Sequence, residues 1–166
     1  MILQIIITLI TVAVVAFVVN AFEDANENKI SFKETLDLVG IPIVTFSIGE
    51  KKLHFVLDTG ANKSIINKKI ADKLGATAEN GTSKVVGIEG KAQDCYYTTL
   101  NLNYKDTDYQ EKFQVMDMTA TFKEIKNTYG VTLHGILGSS FMEKYKYVLN
   151  FEEMVAYSKK KNSSKK

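Results

Sequence analysis

The sequence carries one cysteine, one proline, no arginine and only two histidines. A lone thiol, Cys95, cannot close an internal disulfide, so no disulfide framework supports the fold. Cys95, His54 and His134 together are too few for a zinc site built from cysteine and histidine. The nucleophile-elbow, phosphate-loop and zinc-helix patterns are also missing, so neither a metal nor an organic cofactor is expected. A basic face is lacking as well. The net charge is +2, but Lys159, Lys160, Lys161, Lys165 and Lys166 supply five positives at the C-terminus, and without those five the chain stands at −3. That balance argues against nucleic acid as a partner.

What the chain does have, first, is a long apolar run. Ile2 to Val19 contains no charge and is interrupted only by Gln4, Thr8 and Thr11. At about 1.5 Å per residue it nearly spans a hydrocarbon core of roughly 30 Å. A buried core helix would show a polar face, which this segment lacks. A cleaved signal peptide is the alternative, since Val19, Asn20 and Ala21 offer a small-residue site, but no basic residue precedes the run and it is long for that role. The expectation is one transmembrane helix over residues 1–22, single-pass. Lys29 and Lys33 behind it would favour a cytoplasmic domain; the very short N-terminal flank favours an extracytoplasmic one, which is the orientation expected. Residues 23–38 are polar and read as a linker, 39–157 as one globular domain, and the Lys-rich 158–166 as a solvated tail.

Within 39–157 the pattern is mostly β with short helices. Ile41 to Ile48 and Leu53 to Leu57 read as a hairpin around Gly49, with Pro42 at a strand start. Asn67 is placed to cap a helix over Lys68–Leu74 that stops at Gly75. Strands follow at Lys84–Val86, Ala92–Tyr104 and Tyr109–Val115, then a helix over Thr119–Tyr129 ended by Gly130. Ser140 and Glu143 form a capping-box pattern for a last helix, and Tyr147–Phe151 and Met154–Tyr157 read as closing strands.

Asp58 stands out in this pattern. It follows Phe55, Val56 and Leu57 and precedes Thr59, Gly60 and Ala61, with Ile65 and Ile66 close behind. Asp before Thr-Gly is ordinary turn chemistry. Strand-like flanks on both sides, however, put the acid at a turn inside the core, where a carboxylate is costly without donors and a matched partner. His54 and His134 read as surface or half-buried residues rather than bases, and Cys95 as packed rather than reactive.

Asp58, Thr59, Gly60 and Ala61, followed by Ser64, Ile65 and Ile66, resemble the active-site loop of the retropepsin-like aspartic proteases. The segment from His134 through Gly135, Ile136, Leu137 and Gly138 resembles the apolar-glycine motif near the end of that fold. Val86, Gly87, Ile88, Glu89 and Gly90 resemble its glycine-rich flap. The resemblance runs from about Val39 to Tyr157 and is to a membrane-anchored, bacterial-type member. It implies a closed, internally duplicated β-barrel-like domain preceded by the transmembrane helix. It also implies a catalytic Asp58, a Thr59 hydroxyl that cross-links two active-site loops, and a Gly60 that lets them approach. The flap, Val86 to Gly90, would close over an extended polypeptide as an added strand. Ala61, Ser64, Ile136, Leu137 and Gly138 would support the loop. Ser139 stands where the retroviral members carry an arginine.

Laid on itself, the duplication sets Val56 to Gly60 against Ile136 to Ser140, and Gly138 falls where the first copy has Asp58. Aspartic protease chemistry needs two carboxylates roughly 3 Å apart sharing one proton. The second must come from another copy of the chain across a two-fold axis, and a membrane anchor would concentrate the copies. The expectation is a homodimeric aspartic endopeptidase. The rival is a non-catalytic, membrane-tethered β module that binds extended peptides or merely dimerises; the intact Asp58, Thr59, Gly60 and Ala61 favour the enzyme.

Overall fold

A computed structural model of the chain describes residues 12–14, 27–79, 83–86 and 92–159. Among the described residues from 27 to 159 lie ten strands and four short helices. In order these are β1 (Glu27–Ser31), α1 (Lys33–Val39), β2 (Ile43–Ile48), β3 (Lys51–Leu57), β4 (Ser64–Asn67), α2 (Lys68–Lys73) and β5 (Ser83–Val86). Then follow β6 (Ala92–Tyr104), β7 (Thr107–Met116), α3 (Thr119–Tyr129), β8 (Gly135–Leu137), α4 (Ser139–Tyr145), β9 (Val148–Asn150) and β10 (Val155–Lys159).

Seven strands form a sheet in the order β2-β3-β8-β4-β7-β6-β5, and β2 also pairs with β6 at Ser47 and Asn103. That extra pairing closes six of the strands into a barrel and removes their free edges. The closed, mostly β architecture with short helices agrees with the sequence reading. Alternation explains which faces fill the barrel. On β3, Leu53, Phe55 and Leu57 are buried while His54 and Val56 point the other way and are half-buried. Phe55 meets Phe46 edge-on at 6.2 Å and stacks on Phe113 at 5.6 Å. Phe46 also contacts Phe141 at 6.0 Å and Tyr109 at 5.5 Å, so α4 is fastened to the barrel by aromatic packing.

The outer face has its own apolar layer. Ile43, Phe122 and Leu133 are buried there, with Val56, Ile136, Met118 and Ile125 packed against them. α3 thus covers the reverse side of β3 and β8, and Gly130 ends it in a left-handed conformation with φ of 73°.

Four expectations meet a different outcome. Residues 27–38, read as part of a linker, belong to β1 and α1: β1 pairs with β10 from Glu27↔Lys159 to Ser31↔Val155, and Ile30 and Phe32 are buried. Of the polar residues that suggested a linker, Lys29 and Ser31 are exposed on the face opposite Ile30. β10 likewise carries Ser158 and Lys159, the start of the expected tail. Asn67 does precede α2 but its side chain makes no cap; its Oδ1 accepts the Met118 N–H at 3.4 Å instead. α4 begins at Ser139 rather than behind a Ser140 cap. Among the described residues no helix is long and apolar enough to cross a membrane; apart from residues 12–14, the segment Ile2 to Val19 lies outside them.

The boundary is testable by truncation. A chain beginning at Glu27 is expected to melt like the full chain. One beginning at Lys33 loses Ile30 and Phe32, each worth about 2–5 kcal/mol by truncation, against a total of about 5–15 kcal/mol for a typical domain. Circular dichroism melts should show it unfolded or melting far lower; equal melts would place β1 outside the domain.

Candidate active site

β8 is inserted between the two strands that flank the Asp58 loop. It runs parallel to β3, with Val56 opposite Ile136 and Leu57 opposite Leu137, and antiparallel to β4, with Ile65 opposite Ile136. Asp58 continues the β3 ladder by one step: its N–H donates to the Leu137 carbonyl at 3.0 Å. The loop then turns on its own acid. The Gly60 N–H donates to Asp58 Oδ1 at 2.9 Å and the Ala61 N–H to the Asp58 carbonyl at 3.3 Å, an Asx-turn that orients the carboxylate. Asp58 is half-buried, and Thr59 and Gly60 are exposed at the tip.

The far side of the loop is fastened to the start of α4. Ser139 donates to the Ala61 carbonyl twice, from its N–H at 2.8 Å and its hydroxyl at 3.2 Å. The Gly138 N–H donates to Ser64 Oγ at 3.3 Å, and the Ser64 hydroxyl donates to Glu111 Oε1 at 2.7 Å. Gly138 is tightly enclosed. A Cβ there would lie 2.6 Å from the carbonyl oxygens of both Ala61 and Lys63, so no acid could occupy the position that mirrors Asp58.

Ala61, Ser64, Ile136, Leu137 and Gly138 therefore stand together around Asp58, Thr59 and Gly60. Of the flap, only the Val86 backbone is described, paired with Ala92 at the end of β5; Gly87, Ile88, Glu89 and Gly90 lie outside the described residues. Among the described residues no group of three His, Cys, Asp or Glu side chains could hold a metal ion. Cys95 is buried and accepts from Gln114 Nε2 at 3.2 Å.

Sequence reading missed Glu111. It is 3 % exposed, and burial pushes its carboxyl above the ordinary 4.5 while the Ser64 hydroxyl, Lys144 and Lys63 pull it back. A signal existed: Glu111 falls in phase with Tyr109, Phe113 and Val115 on the inward face of β7, and an acid on an apolar face calls for a partner.

The two histidines form a second polar contact, between β3 and the residue before β8. The His54 N–H donates to His134 Nδ1 at 2.9 Å, and the His134 N–H to the His54 carbonyl at 2.9 Å. An imidazolium cannot accept at Nδ1. Burial, with the neighbouring His54 charge, holds His134 below the ordinary 6.5.

Comparison with known proteins gives a consistent picture. Residues 44–141 match the family described as aspartyl protease. The fold is similar to that of the retroviral protease-like domain of Ddi1 from Leishmania major, with a TM-score of 0.51 and 16 % identity, covering 68 % of this chain and 82 % of that one. A retropepsin-like aspartic protease from Rickettsia conorii aligns over 79 % of this chain and 88 % of its own, with 18 % identity and a TM-score of 0.49. The EIAV protease, in complex with the inhibitor HBY-793, aligns over 67 % and 93 %, with 18 % identity and a TM-score of 0.49.

Two outcomes follow from the packing. Gly138→Ala must push apart backbone carbonyls and is expected to cost about 3 kcal/mol, the upper end for overpacking. Gly60→Ala meets only Asp58 Oδ1 at 3.1 Å and should cost far less, both read from urea denaturation. For His134, the depressed folded value means that the unfolded chain binds the proton more readily. Stability is then full above pH 6.5 and falls as the pH drops from there towards the folded value. His134→Gln should flatten that fall in urea midpoints measured against pH.

Proposed function

Because the chain belongs to the aspartyl protease family, we propose that it is an aspartic endopeptidase whose active site is a pair of Asp58 carboxylates, one from each chain of a homodimer. The observation that carries this reading is the enclosure of Gly138: one chain has room for one acid, and the chemistry needs two. The paired carboxylates share a proton, since both cannot ionise at that separation, and they titrate as a unit. The ionised member takes a proton from a water molecule, and the protonated member donates to the oxygen of the scissile carbonyl. Water adds to the carbonyl carbon to give a tetrahedral diol; proton transfer to the amide nitrogen then releases the amine as the C–N bond breaks.

Thr59, exposed at the loop tip, meets its counterpart across the two-fold axis, and Gly60 permits that approach. Substrates are extended polypeptides held beneath Val86 to Gly90 by main-chain hydrogen bonds. Ile2 to Val19 anchors the chain in a membrane as a single-pass, bacterial-type member with the catalytic domain extracytoplasmic. Residues 20 to 26 are all that separate this segment from β1, a reach of at most roughly 25 Å. The domain is thereby kept close to the bilayer, and two-dimensional confinement promotes pairing.

The test uses peptide hydrolysis by the chain lacking residues 1–26. Specific activity is expected to rise with enzyme concentration and then level off as dimers predominate. Asp58→Asn alone should be folded and inert, and a tenfold excess of it should reduce wild-type activity to roughly a tenth by mass action. Activity strictly proportional to enzyme at every dilution, with no loss on mixing and a monomeric sedimentation coefficient, would sink the shared site.

A further inference from the structure

Among the described residues Glu111 is the only acid that is buried, and the hydrolytic steps leave it without a task. We propose that Glu111 is a positioning residue for the Asp58 loop, acting through Ser64 on the Gly138 amide as the terminal acceptor of a directed hydrogen-bond chain. This rests on the reading of Asp58 as the catalytic acid.

The direction of the chain is fixed by chemistry. The Gly138 N–H can only donate, so Ser64 Oγ accepts there at 3.3 Å and has one proton left, which it gives to Glu111 Oε1 at 2.7 Å. Ser64 is fully buried, so its hydroxyl has no water to turn to. Gly138 in turn lies between the two residues that grip the loop: Leu137, whose carbonyl receives the Asp58 N–H, and Ser139, which donates twice to Ala61. Fixing the Gly138 amide therefore fixes both grips.

The charged groups that face Glu111 are Lys144 on α4, with Nζ 3.9 Å from Oε2 and its side chain half exposed, and Lys63 in the Asp58 loop. They favour the carboxylate, in which the bond from Ser64 is charge-assisted and about twice as strong as a neutral one. A proton on Oε1 would reverse that bond and leave the Ser64 proton without an acceptor. A proton on Oε2 would remove the charge assistance. Either weakens the hold on Gly138.

A carboxylate here does not serve stability. Burial raises the folded value above 4.5, so the contribution of Glu111 is full below that pH and is lost as the pH rises through the folded value. Glu111→Gln, nearly identical in shape, should leave the full-length chain as stable or more stable at pH 7. The same variant should accelerate exchange of the Gly138 amide roughly tenfold and lower kcat roughly tenfold with KM little changed. A purely structural acid would move stability and activity together. Ser64→Ala should reproduce the effect, and the double variant should be no worse than Ser64→Ala alone; additive losses would overturn the proposal.

Amide exchange is to be measured in the Asp58→Asn background, where it needs no turnover. Unchanged Gly138 exchange in Glu111→Gln overturns the positioning role whatever the activity shows. An inactive wild type, or an active Asp58→Asn, defeats only the reading of Asp58. If Glu111→Gln does not fold, Lys144→Met at its exposed position decides: the acid limb of Gly138 protection should move to higher pH, and an unmoved limb overturns the proposal.

Discussion

The chain leaving β8 lies so close to the Asp58 loop that a Cβ on Gly138 would come within 2.6 Å of the Ala61 and Lys63 carbonyl oxygens, and the rest of the site is arranged around that approach. Gly135 is under the same constraint at the other end of the strand, where a Cβ would meet the Ile65 carbonyl and the Phe55 ring at 2.7 Å. Both glycines serve proximity rather than a turn. With no side chains in the way, one three-residue strand can hydrogen-bond to β3 on one side and β4 on the other. The loop between them is thereby drawn into a fixed shape with Asp58 held at its base, one step beyond β3.

Close packing of backbone on backbone has a cost in polar groups, since every buried N–H and C=O needs a partner. The chain meets this locally. Asp58, Ala61, Ser64, Leu137, Gly138 and Ser139 satisfy one another within a few residues of the acid, and Glu111 closes the one branch that runs inward. The same economy governs the chain ends. β10 has both edges filled, by β1 on one side and β9 on the other. A second chain cannot pair with β10 unless one of those strands leaves. In the proposed dimer the two Asp58 loops would meet through surfaces other than β10.

Much of this was legible because the signals are local. The β3 hairpin, the start and stop of α3 at Thr119 and Gly130, and the acid between strand-like flanks each follow from a few consecutive residues. What was not legible depends on residues far apart in sequence. Glu27 to Ser31 is polar enough to read as linker until β10, more than a hundred residues later, covers its apolar half. Asn67 looks like a cap, yet the Met118 amide on the next strand's exit competes for its oxygen and wins. Glu111 is an ordinary strand residue in composition, and only its phase along β7 hints that it faces inward. Local propensity yields at each of these places to a tertiary partner that the sequence does not identify.

The two polar contacts around β8 also bear on how the fold stands acid. His134 is held below its ordinary 6.5 and Glu111 above its ordinary 4.5. As the pH falls from neutrality, the first withdraws stability because the unfolded chain gains a proton that the native chain refuses. The second returns stability, because the native carboxyl takes up its proton before the unfolded one does. One window opens below 6.5 and the other above 4.5, with slopes of opposite sign. The positioning of the loop does not share in that opposition. Protonating His134 removes the acceptor of the His54 amide, and protonating Glu111 would weaken the proposed hold on Gly138, so both act to loosen β8. Acid therefore acts on the geometry of this site through both contacts in the same sense, while their effects on stability oppose one another.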